Sequence, residues 1–386
     1  MAKLEKFVVS LLTVIVVILT GLLIWLFQIK WRQPLGPSLQ NSLATPFGLP
    51  PTWTPNPQSN RPPPSTPKIG SIPYASPSPE NVSKTTGKCE GTSPMYILVI
   101  GSDARGDNYL YGLADVIRLV RVDFVNSRVT VLEFPRDLWV EIPDIADNLH
   151  GQDHEKLNQA YLYGNRGFGY TNDPAKGPGL LVRTLTLNFG TQIDHYVAIN
   201  MRTFEKIIDA VGGIDVTLPE TVDGRIASDM DNRLLFQQGT HHLDGAQALT
   251  LARIRINGTF SRADNQDRVL CALRNKLTSP EVIPNIPRLI RSFQGAMQTS
   301  LSPEQLGQLA CLGTQIEPRN IILTSFPQSL FEQDRTYDPV FKKNVFTWDV
   351  DYDILREYVQ RFNSGNWPDA VITHEQKQEG EALFCQ

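Results

Sequence analysis

Carboxylate and guanidinium side chains cluster where three apolar, β-rich runs of the chain begin or end. The runs are Tyr96–Ile100, Val116–Phe124 and Val129–Phe134. Asp103 lies just after the first run, Asp115 opens the second, and Arg136 follows the third. Buried strands deliver polar groups to one edge of a sheet in this way. Such a set could hold a metal ion and a phosphorylated ligand.

The two carboxylates differ in what they indicate when each is taken alone. Asp103 stands in a Gly-Ser context, where Asp is common simply as a turn former. Asp115 leads directly into an apolar strand, where an unpaired carboxylate would be costly. If the two strands are neighbours, both carboxylates reach the same edge, and hard oxygen ligands of this kind select Mg²⁺ or Mn²⁺. The pair therefore predicts a Mg²⁺ (or Mn²⁺) site.

A second charged constellation lies between Leu243 and Leu277. Arg253 and Arg255 are two residues apart at the end of a predicted helix, and a further helix follows with Arg262 and Gln266. Those two side chains are four residues apart, so they share one helix face. Planar guanidinium groups match phosphate oxygens in bidentate fashion, and several of them around one cation suit a pyrophosphate.

Other arginines admit structural interpretations. Arg136 stands among apolar and aromatic neighbours and needs a fixed partner, which could simply be Asp137. Arg118, Arg121 and Arg128 are predicted to face solvent or to pair on the sheet, and no chemistry is assigned to them.

Strands and helices alternate along the rest of the chain, which indicates an α/β layered domain. Helices are predicted from Lys156, over Pro178–Asn188, over Met201–Val211, after an Asp244 N-cap, over Ser302–Leu312 and over Asp351–Phe362. Further strands are predicted over Tyr196–Ile199, Ile214–Leu218 and Ile321–Phe326. No strong signal is present from Asn363 to Gln386. A single folded domain is expected from about Tyr96 to about Phe362.

The N-terminus carries a long uncharged apolar run, Phe7–Phe27. As a helix this run is long enough to cross a hydrocarbon core about 30 Å thick. It is longer than a typical signal-peptide core and no A-x-A-like site follows, so an uncleaved signal anchor is predicted, with a cleaved signal peptide as the alternative. Lys3 and Lys6 precede the run and Lys30 and Arg32 follow it, so charge leaves the orientation open.

Proline-rich sequence from Gln33 to about Lys88 predicts a disordered spacer, because it holds too few apolar residues to fold. Fully extended, it would reach more than about 100 Å. The spacer could serve to reach across a cell-envelope layer, or it could be a tether of no specific length, and both interpretations are open.

Composition and missing motifs exclude several classes of function. The chain of 386 residues is 41% hydrophobic and has a formal net charge of −4, so it can build a core and carries no global positive charge for nucleic acid. The sequence has no GxGxxG after the first strand, GxxxxGK[ST], GxSxG or HExxH motif, and its six histidines are scattered. The chain therefore lacks the sequence motifs of dinucleotide-binding proteins, P-loop proteins, α/β-hydrolases and zincins.

The four cysteines show no metal-binding spacing, which leaves buried thiols or disulfides in an oxidising compartment. We predict Cys271 bonded to Cys311 and Cys89 bonded to Cys385, each pair joining distant segments of the domain.

The ordered succession of several motifs resembles the LytR-CpsA-Psr family of cell-envelope phosphotransferases. The strings are GSDAR, Asp115, PRD with Arg136, KLNQAY, DHYVAINMRTFEKIIDAVGGIDVTLP, ALTLARIR and RADNQ, and they cover about Tyr96 to Leu277. The sequence departs from the family pattern at Asn265, where Arg is frequent before the Gln, and at Leu113-Ala114-Asp115-Val116. Arg268 is a candidate substitute for the missing arginine.

The resemblance implies an activity and a site. The enzyme would transfer a glycopolymer from a polyprenyl-pyrophosphate carrier to peptidoglycan as a phosphodiester, with the lipid tail in an apolar channel between sheet and helices. Asp103 and Asp115 would hold Mg²⁺. The pyrophosphate would be held by Arg105, Arg136, Lys156, Arg253, Arg255, Arg262 and Gln266. Catalysis would rest on Asp103, Arg136, Arg253 and Arg255, and Asp103 could also take the acceptor proton.

The predicted fold is a three-layer α/β/α sandwich with a central mixed sheet, preceded by one transmembrane helix and a disordered linker. The predicted divisions are a cytoplasmic tip and signal anchor (1–32), the linker (33–90), the catalytic domain (91–365) and a C-terminal tail (366–386). The protein would be a single-pass membrane protein whose catalytic domain is extracytoplasmic. A hydrolase acting on the same lipid carrier and a non-catalytic scaffold for envelope assembly remain as alternatives.

Overall fold

The structure is a computed structural model, and it describes residues 20, 28–39, 85–104, 109–226, 229, 231–254, 259–282, 296–368 and 382–385. Within these ranges, no helix has the length and apolar character needed to cross a membrane. The predicted span Phe7–Phe27 lies outside the described residues apart from Thr20, as does most of the predicted linker.

A seven-stranded mixed sheet forms the centre of the fold. Its strands are β1 (Met95–Ser102), β2 (Ala114–Asp123), β3 (Arg128–Glu133), β4 (His195–Asn200), β5 (Gln298–Thr299), β6 (Ile321–Ser325) and β7 (Ala382–Phe384). The spatial order is β5-β4-β1-β2-β3-β6-β7. β1 pairs in parallel with β4, and β3 with β6, whereas the other neighbours are antiparallel. The predicted mixed α/β fold with a central mixed sheet is confirmed.

Helices cover both faces of this sheet. They are α1 (Leu157–Gly164), α2 (Gly177–Phe189), α3 (Met201–Ala210), α4 (Gly245–Arg253), α5 (Thr259–Leu277), α6 (Pro303–Gln315) and α7 (Tyr352–Ser364). Tyr96 and Leu98 on β1 belong to the core formed with α1, α2 and α7. Met95 and Ile97 point to the other face, where they pack with residues of α6. This period-2 alternation of buried residues is what a strand covered on both sides requires.

Shorter elements surround the sheet. Two-stranded pairs join Thr85–Thr86 with Thr92–Ser93, Trp139–Glu141 with His154–Lys156, Ile214–Leu218 with Gly239–Leu243, Val222–Asp223 with Leu235–Phe236, and Glu332–Asp338 with Lys343–Asp349. Short 3₁₀ turns cover Lys88–Glu90, Pro318–Asn320 and Gln328–Leu330. A third core packs α3, α4 and α5 against the Ile214–Leu218 pair. Those three helices stand over one end of the sheet and complete the site described below.

Local sequence explains where the helices begin and end. Asp244 and Ser302 accept hydrogen bonds from the backbone three residues on, and a glutamine at that position bonds back to the cap in both cases. These are capping boxes, which satisfy backbone donors at a helix start. Gly190 and Gly365 adopt left-handed conformations after α2 and α7, a frequent helix ending.

Both disulfides join partners other than the predicted ones. Cys89 is bonded to Cys311, and Cys271 is bonded to Cys385. The reason is the sheet order, which the sequence did not reveal. The turn around Cys89 packs against α6, which carries Cys311. Cys385 follows β7, at the sheet edge beside β6, where it packs with Cys271 of α5.

Several short segments that were predicted to lie outside the folded domain are part of it. Residues 382–384, within the predicted tail, form β7 and pair with β6. At the other end, residues 33–39 belong to the predicted disordered linker, yet Leu39 is buried in the main core. The last residues of that predicted linker are also structured, since they form the strand Thr85–Thr86 and the 3₁₀ turn Lys88–Glu90. Each docking segment is only a few residues long, so the surrounding polar or proline-rich composition conceals it.

Candidate functional site

A β-bulge at the end of the β1–β2 pair positions Asp115. Gly101 pairs with Val116 and Ser102 pairs with Ala114, so Asp115 is the residue left without a partner in the register. An extra residue of this kind bends the strand and redirects its side chain, and such bulges occur often beside active sites. The carboxylate of Asp115 is partly exposed at the mouth of a cavity.

Asp103 lies at the same end of the same strand pair. Its main chain N–H donates to the carbonyl oxygen of Leu113 at 3.1 Å, and its Oδ1 accepts the Leu113 N–H at 2.6 Å. Asp103 therefore forms a turn, as one interpretation predicted. The same hydrogen bonds hold it at the end of the strand pair where Asp115 lies. The predicted neighbouring strands are confirmed.

An alternating row of charges runs from Asp115 to Lys156. Arg136 forms ion pairs with Asp115 and, at 3.2 Å, with Asp137, and Lys156 Nζ lies 3.0 Å from the Asp137 carboxylate. Burial lowers the pKa of Arg136, but the two carboxylates outweigh it, so its pKa is raised and the side chain stays cationic. Asp137 is therefore a partner of Arg136, as the structural interpretation predicted, and Asp115 is a second partner.

The backbone fixes this row of charges to the fold. The N–H groups of Leu157 and Asn158, at the start of α1, donate to the carbonyl oxygens of Leu138 and Arg136. Lys156 directly precedes that helix. The loop that carries Arg136 is therefore hydrogen-bonded to the helix start that carries Lys156, which keeps the two cations a fixed distance apart.

Helices α4 and α5 supply the wall of the cavity that faces the sheet. Arg262 on α5 is buried, and its guanidinium donates to the main chain oxygen of Asp115. Gln266, one turn further on, donates to the carbonyl oxygen of Ala252 at 3.3 Å, which joins α5 to the end of α4. Arg253 ends α4, is exposed, and lines the same cavity. Arg105 and Arg255 lie outside the described residues.

An apolar cavity of about 130 Å³ opens between the sheet and helices α3, α4 and α5. Its apolar walls include Val99, Ile199, Phe204, Leu249, Val269 and Leu270. Asp115, Arg253 and Arg262 line it as well, so charged groups stand beside a pocket that is otherwise hydrophobic. A ligand that fits both parts has an anionic head and an apolar tail.

Arg118 pairs on the sheet, as one of its two interpretations predicted, but its place in the wall of the cavity was not predicted. It lies in the cavity wall with only 2% of its surface exposed, and it forms ion pairs with Asp267 and, at 2.7 Å, with Glu133. It also donates to Gln266 at 3.4 Å. Burial lowers its pKa, and the two acids outweigh that effect and raise it. A central strand of a sheet covered on both faces has no solvent side, so an arginine there must be paired.

The candidate substitute Arg268 is engaged within its own helix. It donates to the side chain of Asn265 at 3.0 Å. Arg121 lies 3.6 Å from Asp123 of the same strand, so it pairs on the sheet as predicted. Arg128 instead donates to the carbonyl oxygen of Pro368, which lies outside the sheet.

The donor set fits a magnesium ion of the kind that binds together with phosphate. Mg²⁺ in such sites uses one or two carboxylates and takes its remaining ligands from substrate oxygens and water. Asp103 and Asp115 supply two carboxylates at one strand edge. Across the residues with described positions, no group of three or more His, Cys, Asp or Glu side chains is arranged to hold a metal by itself.

Comparisons with known proteins agree on one family. A model described as the LytR_cpsA_psr family matches residues 71–357. The protein named polyisoprenyl-teichoic acid--peptidoglycan teichoic acid transferase TagU, from Bacillus cereus (strain AH820), is 28% identical over 232 residues, which are 59% of this chain and 67% of that one. Regulatory protein MsrR of Staphylococcus aureus (strain COL) is 27% identical, and the match covers 57% of this chain and 60% of MsrR.

Solved structures share the fold. The crystal structure of B. subtilis TagV aligns with a TM-score of 0.53 and 25% identity, covering 70% of this chain and 97% of TagV. That of B. subtilis TagT aligns with a TM-score of 0.51 and 22% identity, covering 70% and 91%. Because the family model spans most of the chain, this chain belongs to the LytR-CpsA-Psr family.

Proposed function

We propose that this protein transfers a glycopolymer from a polyprenyl-pyrophosphate carrier to peptidoglycan, forming a phosphodiester. The observation that carries the proposal is that Asp115, Arg253 and Arg262 line an apolar cavity, with Arg136 paired to Asp115 beside it. A lipid pyrophosphate has the matching shape, with a charged head and a hydrocarbon tail. The name of TagU describes a transferase acting between polyisoprenyl-linked teichoic acid and peptidoglycan, and a TagT structure of the same fold is bound to LIIa-WTA.

The proposed reaction is an in-line phosphoryl transfer. An acceptor sugar hydroxyl attacks the phosphorus nearer the glycan, a new phosphorus–oxygen bond forms, and the bond to the bridging oxygen breaks. Polyprenyl phosphate leaves with the electron pair. Arg136, Arg253 and Arg262 neutralise charge on the transferring and leaving groups, which is the main assistance that such a reaction needs. Asp103 is the proposed acceptor of the hydroxyl proton.

Asp103 and Asp115 are the residues that would hold Mg²⁺ (or Mn²⁺). The ion would supply further positive charge at the pyrophosphate oxygens. Lys156, through Asp137, keeps Arg136 directed toward the site, and Arg105 and Arg255 are proposed to add contacts to the same phosphates.

An extracytoplasmic location at the cell membrane goes with this activity. Two disulfides join distant parts of the domain. Disulfides persist in oxidising compartments and are rare in the cytosol of mesophiles, which supports placing the domain outside the cytoplasm. The anchor is proposed to be the run Phe7–Phe27.

Product analysis tests the proposal. The full chain, Mg²⁺, a polyprenyl-pyrophosphate glycan and peptidoglycan should yield polyprenyl phosphate and a glycan attached to peptidoglycan. Asp103→Ala and Arg253→Ala should abolish both products, whereas Arg319→Ala, at an exposed arginine paired with Glu317, should leave them unchanged. Free glycan phosphate as the sole glycan product would instead favour the hydrolase, and normal turnover in the two site variants would overturn the site assignment.

A further inference from the structure

Residues 33–39, here called the strap, pack along the edge of the sheet at β5. The N–H of Leu35 donates to the carbonyl oxygen of Leu301 at 3.0 Å. The carbonyl oxygen of Pro37 accepts the hydroxyl of Tyr196 at 3.0 Å. Leu39 is 8% exposed and joins the main core. The strap is thus bonded to the domain by both its backbone and its side chains.

Close approach at Gly36 shows how tightly the strap fits. A Cβ atom at this position would lie 2.7 Å from the carbonyl oxygen of Thr299, which is closer than real Cβ contacts. Just before the strap, Arg32 forms an ion pair with Glu304 at 3.4 Å. Trp31 lies beside Gly307, where an added Cβ would be 3.9 Å from the indole ring. The chain therefore touches the domain from residue 31 onward.

Chain length limits how far this contact can be from a membrane span that ends at Phe27. Residues 28–32 are helical. Trp31 is four residue steps after Phe27, which is about 6 Å along a helix and at most about 15 Å if extended. The surface formed by the start of α6 and the strap therefore cannot lie far from the bilayer.

The exposed side chains of this region suit a membrane interface. Ile29, Trp31 and Leu35 are exposed apolar residues, and Arg32 is exposed beside them. Aromatic residues favour the headgroup level, and basic side chains attract anionic lipids. A cavity of about 260 Å³ next to the strap is lined by Arg166 and Lys176 as well as by Leu35, which adds positive charge to the same region.

We propose that the strap fixes the catalytic domain directly on the bilayer surface, so that residues 40–84 do not set its distance from the membrane. Leu39 and Thr85 both lie on the domain, since Thr85 pairs with Ser93 and Lys88 bonds to Phe124. A segment whose two ends are attached to the same domain cannot extend that domain's reach. The inference rests on the proposed membrane anchor and deepens the proposed function, because a surface-held domain meets its lipid carrier at the membrane.

Neutron reflectometry on the full chain in a supported bilayer tests the proposal. The domain of the unchanged protein should begin within about 20 Å of the bilayer surface, a limit set by the length of the connecting residues. Deletion of residues 45–75 should leave that separation unchanged. Gly36→Val should increase it, because the added side chain displaces the strap, whereas Ser38→Val at the exposed neighbouring position should not.

The outcomes separate the strap from the anchor. Release of the protein from membranes by alkaline carbonate would show that the anchor proposal itself fails. An integrated protein whose domain lies about 50 Å or more from the bilayer, or whose separation shrinks on the 45–75 deletion, would overturn the strap. Both of these measurements are independent of whether Gly36→Val folds, and a folded Gly36→Val with unchanged separation would also contradict the proposal.

Discussion

Replacing Arg118 by Leu should destabilise the protein strongly, because it leaves two largely buried acids without their cation. Arg118 is held between Glu133 and Asp267, with 3% of its side chain exposed. Breaking one partner out of a buried ion network typically costs about 3–5 kcal/mol, since the remaining charges stay desolvated. For a domain of this size that loss lowers Tm by about 6–20 °C, at about 2–4 °C for each kcal/mol.

The stability lost in Arg118→Leu should depend on pH, because the two acids that remain can take up protons. Burial raises the pKa of both Glu133 and Asp267 in the native protein, and without Arg118 their pKa values rise further. A raised folded pKa contributes stability at low pH that is lost as the pH rises. The deficit of Arg118→Leu should therefore be largest at neutral pH and should shrink as the pH falls toward 5.

Urea unfolding of the unchanged protein and of Arg118→Leu at several pH values measures this effect. The triple variant Arg118→Leu/Glu133→Leu/Asp267→Leu is the matched control, since replacing a whole buried network by apolar residues is often close to neutral. A single-variant loss below about 1 kcal/mol, which is the range of exposed ion pairs, would refute the claim that this network is shielded from water.

Other expected outcomes concern titration, cross-links and caps. Glu155 is buried against Asp338, and burial followed by the neighbouring carboxylate raises its pKa to about 8, so the free energy of unfolding should fall as the pH rises from about 5 through 8. Glu155→Gln should flatten that fall in urea titrations, and an unchanged slope would contradict the assignment. Non-reducing peptide mapping should recover Cys89 with Cys311 and Cys271 with Cys385, and any other pairing would contradict the sheet order. Asp244→Ala should cost about 1 kcal/mol by thermal unfolding, because it removes the cap of the helix that carries Arg253, and no loss would contradict the capping box.

Local patterns in the sequence predicted most of the strands and helices of the fold. The apolar runs around Asp103 and Asp115 became neighbouring strands, and the caps at Asp244 and Ser302 begin helices as predicted. These features depend on residues close together in sequence. The four-residue spacing of Arg262 and Gln266 likewise placed both on the helix that covers the site.

Features that depend on long-range order were not predicted. The disulfide partners follow from which strand lies beside which, and four cysteines allow three pairings that spacing alone cannot separate. The sequence around Arg118 does not show that helices cover this face of the sheet, so it does not predict that Arg118 lines a cavity. The strap and β7 are short, and their docking depends on partners such as Leu301 and β6 that are far away in sequence.

Tracing the phosphorus atom tests the central claim most directly. A polyprenyl-pyrophosphate glycan labelled with ³²P at the phosphorus nearer the glycan is incubated with the full chain, Mg²⁺ and peptidoglycan. We expect the label to enter the phosphodiester between glycan and peptidoglycan, and we expect Arg253→Ala to prevent this. Label that remains with the polyprenyl lipid, or that appears in peptidoglycan at an equal rate with Arg253→Ala, would contradict the account.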